Sequence, residues 1–127
     1  MKVLAIDQGT TATKSFTLDG EGRFESVAAV EHRQIFPNAG WVEHDPEELL
    51  RNVSACLEVA GKVDAIGMDN QGETVIAWDA GTGKPIYNAI VWQDTRTQAI
   101  VDRLAADGGV ERFKQTVGLP LATYFSG

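Results

Sequence analysis

With 127 residues the chain fits one domain, and 43% hydrophobic residues are enough for a core, which argues against disorder. A formal net charge of −7 and the lack of any basic run argue against nucleic acid, since a phosphate backbone is bound by clustered Lys or Arg. One cysteine, Cys56, excludes an internal disulfide, no apolar run approaches ~20 residues, and no signal segment opens the chain. A soluble cytoplasmic protein without a membrane partner is expected.

Val3 to Ile6 is a short apolar run that suits a strand buried on both faces. The run breaks at Asp7-Gln8-Gly9-Thr10-Thr11, and β-prone Thr13 to Leu18 is expected to return antiparallel as a hairpin. The turn between them gathers a carboxylate, backbone N–H groups and hydroxyls at one strand end. Those groups suit a magnesium nucleotide: Asp7 is a hard oxygen donor, and N–H and hydroxyl donors can hold phosphate oxygens. Gly9 lets the backbone approach closely and Lys14 adds a positive charge. Local chemistry alone leaves open an ordinary hairpin turn.

Asp19-Gly20-Glu21-Gly22 is a strand-joining turn, and Arg23 to Glu31 reads as a third strand. Ile35 to His44 is expected to be an ordered loop in which Trp41 anchors packing. A helix starts at Asp45-Pro46-Glu47-Glu48, where Asp45 can cap and the glutamates favour the dipole. Leu49, Leu50, Val53, Cys56, Leu57 and Ala60 give it helical spacing, and Gly61 ends it. Cys56 is read as a core filler, and the sequon Asn52-Val53-Ser54 lies inside the helix and is not read as glycosylated.

Val63 to Met68 is the next buried strand, expected parallel to the first because a helix connects the two. It ends in a second polar cluster, Asp69-Asn70-Gln71-Gly72-Glu73, where ligand sites of open α/β sheets tend to lie. Val75 to Trp78 and Ile86 to Trp92 flank Asp79-Ala80-Gly81-Thr82-Gly83-Lys84, whose G-T-G-K lacks the upstream glycine and following helix of a phosphate loop. It is read as a hairpin tip. Asp94 to Ala106 and Val110 to Val117 read as helices. The two histidines, His32 and His44, have no cysteine partners and suggest no metal site.

Ile6-Asp7-Gln8-Gly9-Thr10-Thr11 resembles the opening of the FGGY carbohydrate kinases, the glycerol kinase branch above all. Gly40-Trp41-Val42-Glu43-His44-Asp45-Pro46, Asn70 to Thr74, Gly83 to Gln93 and Tyr124-Phe125-Ser126-Gly127 carry the resemblance along the chain. It implies an α/β, ribonuclease H-like or actin-like ATPase fold: a mixed sheet of three leading antiparallel strands, then a parallel strand and helices. Residues 1–127 would be the N-terminal part of the first domain of a longer kinase, an incomplete domain, with the second domain absent. The implied activity is ATP-dependent phosphorylation of a hydroxyl of a small polyol or sugar, and the full-length protein is expected to be a homo-oligomer.

The resemblance implies a site. Asp7 would approach Mg²⁺, and Gly9, Thr10, Thr11 and Lys14 would hold the phosphates of ATP. Gln71, Gly72, Glu73, Trp92, Asp94 and Tyr124 would form the substrate pocket, with Gln93 beside it. No catalytic residue falls within the chain, because the family's general-base aspartate would lie beyond Gly127, so the chain alone is expected to be inactive. A silent sugar- or nucleotide-sensing module is the alternative. One departure stands out: glycerol kinases carry arginine between the glutamine and glutamate of the second cluster, where this chain has Gly72. Glycine removes a forked donor and leaves room, which resembles members acting on longer polyols or ketoses.

Overall fold

The computed structural model describes residues 1–125; Ser126 and Gly127, which complete the last motif, lie outside the described residues. Strands β1 (Lys2–Gln8) and β2 (Ala12–Asp19) form the expected antiparallel hairpin, and β3 (Phe24–Glu31) pairs antiparallel with β2. After the short β4 (Glu43–His44), helix α1 (Pro46–Ala60) crosses back and β5 (Ala65–Asp69) runs parallel to β1. The sheet order is β3-β2-β1-β5. Asp45 caps α1 by accepting from the Glu47 amide at 2.9 Å, and Gly61 ends it at φ 65°.

Register and packing explain which face is covered. Leu4, Ile6 and Gln8 lie opposite Thr17, Ser15 and Thr13, and all six are buried. Leu4 and Ile6 meet Cys56 and Ala60 of α1, flanked by Val27, Ala28, Val53 and Val63. Cys56 is therefore core. Burying a Leu or Ile side chain stabilises by about 1.5–3 kcal/mol, so this small cluster fixes α1 on the sheet. Asn52 is buried on the same helix and donates to the Val30 and Glu31 carbonyls at 3.4 and 3.3 Å, which keeps it from acting as a surface sequon.

The expectation of strands buried on both faces is corrected. Along β1, Ala5 and Asp7 are exposed, and all five residues of β5 are exposed. Helix α1 packs over β1, β2 and β3 and leaves β5, an edge strand, uncovered. Leu50 and Leu57 likewise point away from the buried stripe of Leu49, Asn52, Cys56 and Ala60.

The loop before α1 is ordered, as expected, and also carries the short strand β4. Ile35 bridges Glu43, and β4 pairs antiparallel with β6 (Ala89–Ile90). The 75–92 hairpin forms through bridges Val75–Ile90 and Trp78–Pro85, and its tip is closed by Asp79 accepting from Gly81 and Thr82. Helix α2 (Gln98–Ala105) starts four residues after Asp94, whose carboxylate instead holds a turn through the Arg96 amide. Helix α3 (Lys114–Val117) is a single turn, preceded by Gly108 and Gly109 at φ 98° and 74°, which helix geometry does not permit. Among the described residues no helix is long and apolar enough to cross a membrane.

Candidate functional site

The turn between β1 and β2 is tight because of Gly9. Its amide donates to the Ala12 carbonyl at 3.0 Å, and a Cβ there would sit 3.2 Å from that same oxygen and 3.6 Å from Asp7 Oδ1. Among the described residues no acceptor is paired with the amides of Thr10 or Thr11. Asp7 stands in register with Lys14 on β2 and with Asp69 on β5. A lysine and two carboxylates thus share a row on the uncovered face, and all three are exposed.

The second cluster comes to the same place. Gly9, Thr10, Gln71, Gly72, Glu73, Trp92 and Tyr124, with Asn70, line one cleft of about 440 Å³. Trp92 Nε1 donates to the Thr10 hydroxyl at 3.0 Å, and the Trp92 and Tyr124 rings meet edge to face at 5.0 Å. Gln71 Nε2 donates to the Gly9 carbonyl at 3.0 Å and to Gln8 Oε1 at 3.3 Å. Its Oε1 accepts from the Thr74 hydroxyl at 3.1 Å, which in turn accepts from the Trp92 amide at 3.3 Å. Gly72 is exposed, and a Cβ there would have nothing within 4 Å. Among the described residues this position is open.

Asp94 is not brought into that cleft. It lines a second cavity of about 260 Å³ that shares Glu73 and Trp92 as walls. Its carboxylate accepts from the Val42 amide at 2.7 Å and binds Arg96 at 2.8 Å, while Arg96 also reaches Glu43 at 2.6 Å. Tyr87 and Asn88 complete the Glu43 shell at 2.9 and 2.8 Å. Burial pushes both carboxyls up, but the hydrogen bonds from Arg96 and its neighbours outweigh it and hold both below the ordinary range. Arg96 also lies 3.9 Å over Trp41, the expected packing anchor, and Gly40 at φ 77° is held against Thr95, where a Cβ would collide with Oγ1. This network locks the Gly40–Pro46 loop to the segment after Trp92.

A further group was not legible as part of the site. His32 Nε2 lies 2.8 Å from the Thr10 carbonyl, and Gln34 Nε2 donates to that carbonyl at 2.9 Å. His44 Nε2 lies 2.9 Å from Gln34 Oε1, and the two imidazoles meet edge to face at 4.6 Å. Both histidines are buried, and each Nδ1 has no partner among the described residues. Burial, and then the neighbouring His32, lower the His44 pKa to about 4. The signal available was the position of both histidines beside strand ends, which fixes no direction.

Among the described residues no group of three His, Cys, Asp or Glu side chains is placed to hold a metal alone. A glycine-tight turn with unpaired amides beside an exposed carboxylate does fit a magnesium nucleotide, whose phosphate oxygens and waters would complete the coordination.

A profile of the FGGY family of carbohydrate kinases, N-terminal domain, matches residues 2–127. The glycerol kinase of Clavibacter michiganensis subsp. michiganensis is 61% identical, over 98% of this chain and 26% of that protein. That of Roseiflexus sp. is 50% identical, over 98% and 27%. Among solved structures, Plasmodium falciparum glycerol kinase with ADP superposes with TM-score 0.83 at 38% identity, over 98% of this chain and 27% of that one. Lactobacillus acidophilus gluconate kinase gives 0.80 at 25% identity, over 97% and 26%. The chain spans about a quarter of the length of the curated relatives it matches, 26% of the first.

Proposed function

This chain belongs to the FGGY family of carbohydrate kinases, with part of an actin-like ATPase fold, and we propose that the whole protein transfers the γ-phosphate of ATP to a hydroxyl of a small polyol or ketose. The supporting observation is that the turn and the second cluster line one cleft, joined by the Trp92–Thr10 hydrogen bond. Donor and acceptor must meet within a few ångströms, and phosphoryl transfer draws its rate from positioning and charge stabilisation.

In this reading the amides of Thr10 and Thr11, the Thr10 hydroxyl and the Lys14 ammonium hold phosphate oxygens, and Asp7 holds the magnesium side. Bound magnesium supplies neutralisation of phosphoryl charge. Glu73 and the Tyr124 hydroxyl orient the acceptor's hydroxyls, and Trp92 offers its C–H groups a flat face. The proton leaving the acceptor hydroxyl needs a base other than the residues named here. The open space at Gly72 favours an acceptor of four or five carbons over glycerol. The 127-residue chain alone would be silent, because both that base and the adenine pocket lie elsewhere.

The test is acceptor-dependent ADP formation by the full-length protein, with phosphorus NMR to place the new ester on the acceptor. ADP release that needs no acceptor would make it an ATPase. Binding of ATP and polyol without product would make it a sensor.

A further inference from the structure

Two consecutive carbonyls in the β1–β2 turn each receive two side-chain donors. The Gly9 carbonyl accepts from Gln8 Nε2 and Gln71 Nε2, both at 3.0 Å. The Thr10 carbonyl accepts from Gln34 Nε2 at 2.9 Å and from His32 Nε2 at 2.8 Å. A carbonyl only accepts, so His32 carries its proton on Nε2. Gln34 must present its nitrogen to Thr10, so its oxygen faces His44, which then also carries its proton on Nε2. Every direction in this group follows from one acceptor.

The consequence runs through the peptide planes. In a trans peptide the carbonyl of one residue and the amide of the next lie in one plane and point opposite ways. No peptide in the described chain is cis. Clamping the Gly9 carbonyl therefore aims the Thr10 amide away from Gln8 and Gln71. Clamping the Thr10 carbonyl aims the Thr11 amide away from the His32–Gln34 layer. These are the two amides of the turn that have no acceptor among the described residues. A carbonyl that accepts two hydrogen bonds also polarises its peptide, which strengthens the amide as a donor.

We propose that His32, Gln34 and Gln71 are positioning residues that hold these two peptide planes so that the Thr10 and Thr11 amides face the nucleotide phosphates. This rests on the kinase reading above. It gives Gln71 a role different from direct recognition of the acceptor: its nitrogen serves the turn, and its oxygen is taken by Thr74. His44 stands one step further back, holding Gln34 in the orientation that donates.

The experiment is calorimetric binding of Mg·ADP and, separately, of a preferred polyol or ketose to the full-length protein and to Gln34→Met and Gln71→Met. Methionine keeps the unbranched length and removes the donor. Each variant should bind Mg·ADP about ten-fold more weakly and the acceptor as the wild type does, the loss expected for one net hydrogen bond. Gln34→Glu, which keeps the acceptor for His44 and removes the donor, should behave like Gln34→Met. A merely structural role would weaken both ligands together and lower the melting temperature. Variants that bind Mg·ADP like the wild type overturn the clamp and leave the kinase reading standing. Gln71→Met that loses only the acceptor returns Gln71 to the substrate and overturns its part in the clamp. A wild type that binds no Mg·ADP overturns both.

Discussion

Trp92 Nε1 donates to the Thr10 hydroxyl across 3.0 Å, over 82 residues of sequence. One side chain thus forms a wall of the cleft and fixes a hydroxyl of the β1–β2 turn. Trp92→Phe keeps the flat face and removes the donor. The KM for Mg·ATP should rise several-fold, about the effect of one net hydrogen bond, while the acceptor's KM moves less. Trp92→Ala should raise both. Steady-state kinetics on the full-length protein checks this, and an acceptor-only effect from Trp92→Phe would contradict it.

Asp7 is exposed at the end of β1 and contributes nothing to the Leu4–Ile6 core. Asp7→Asn should therefore lower turnover by about 100-fold or more, the scale of losing an electrostatic partner in a transition state, with the melting temperature nearly unchanged. Full activity in this variant would remove the metal-side assignment.

The hairpin, the capped helix and the parallel return to β5 were legible because each has a local cause. Gly9 closes one turn, Asp45 and Pro46 start the helix, and a helix between two strands permits a parallel pair. The two polar clusters were legible because each breaks an apolar run. Strand burial differs from the expectation: apolar residues such as Ile66 and Met68 suit a buried strand, but no element among the described residues covers β5. The Glu43–Arg96–Asp94 network and the His32–Gln34–His44 group could not be read, because Glu43 and Arg96 lie 53 residues apart, Gln34 and His44 lie 10 apart, and both pairs meet only through the fold. Asp94 was expected in the substrate pocket, yet its carboxylate faces Arg96 and Val42.

Arg96 is half-buried between two buried carboxylates, with contacts of 2.6 Å to Glu43 and 2.8 Å to Asp94. Arg96→Met would leave both acids buried without their cation. Breaking such a group costs about 3–5 kcal/mol, so the melting temperature should fall by several degrees or the protein should fail to fold. Thermal denaturation checks it; an unchanged melting temperature would show the network to be incidental.

His44 titrates at about 4 in the fold against an ordinary 6.5. The folded state therefore binds fewer protons than the unfolded state between those values, and stability rises with pH there. The contribution should be complete above pH 6.5 and lost as the pH falls towards 4. Glu43 and Asp94, held below the ordinary carboxylate range, should add their loss only at lower pH. Melting temperature against pH for wild type and His44→Asn separates the two windows. A slope between pH 6.5 and 4 that survives His44→Asn would assign it elsewhere.

In the proposed function, acceptor size turns on Gly72. Its position is open, with nothing within 4 Å of an added Cβ, and its backbone has no left-handed φ, so a larger side chain fits without strain. Arginine there would fill the cleft and supply a charge-assisted donor, worth about 1.5–3 kcal/mol, or roughly ten- to a hundred-fold. The most direct measurement is kcat/KM of the full-length protein and of Gly72→Arg on glycerol, a four-carbon polyol and a five-carbon ketose. The wild type should prefer one of the longer acceptors, and Gly72→Arg should move the preference towards glycerol. Glycerol as the best acceptor of the wild type, with Gly72→Arg changing nothing, would contradict a cleft in which this position sets acceptor size.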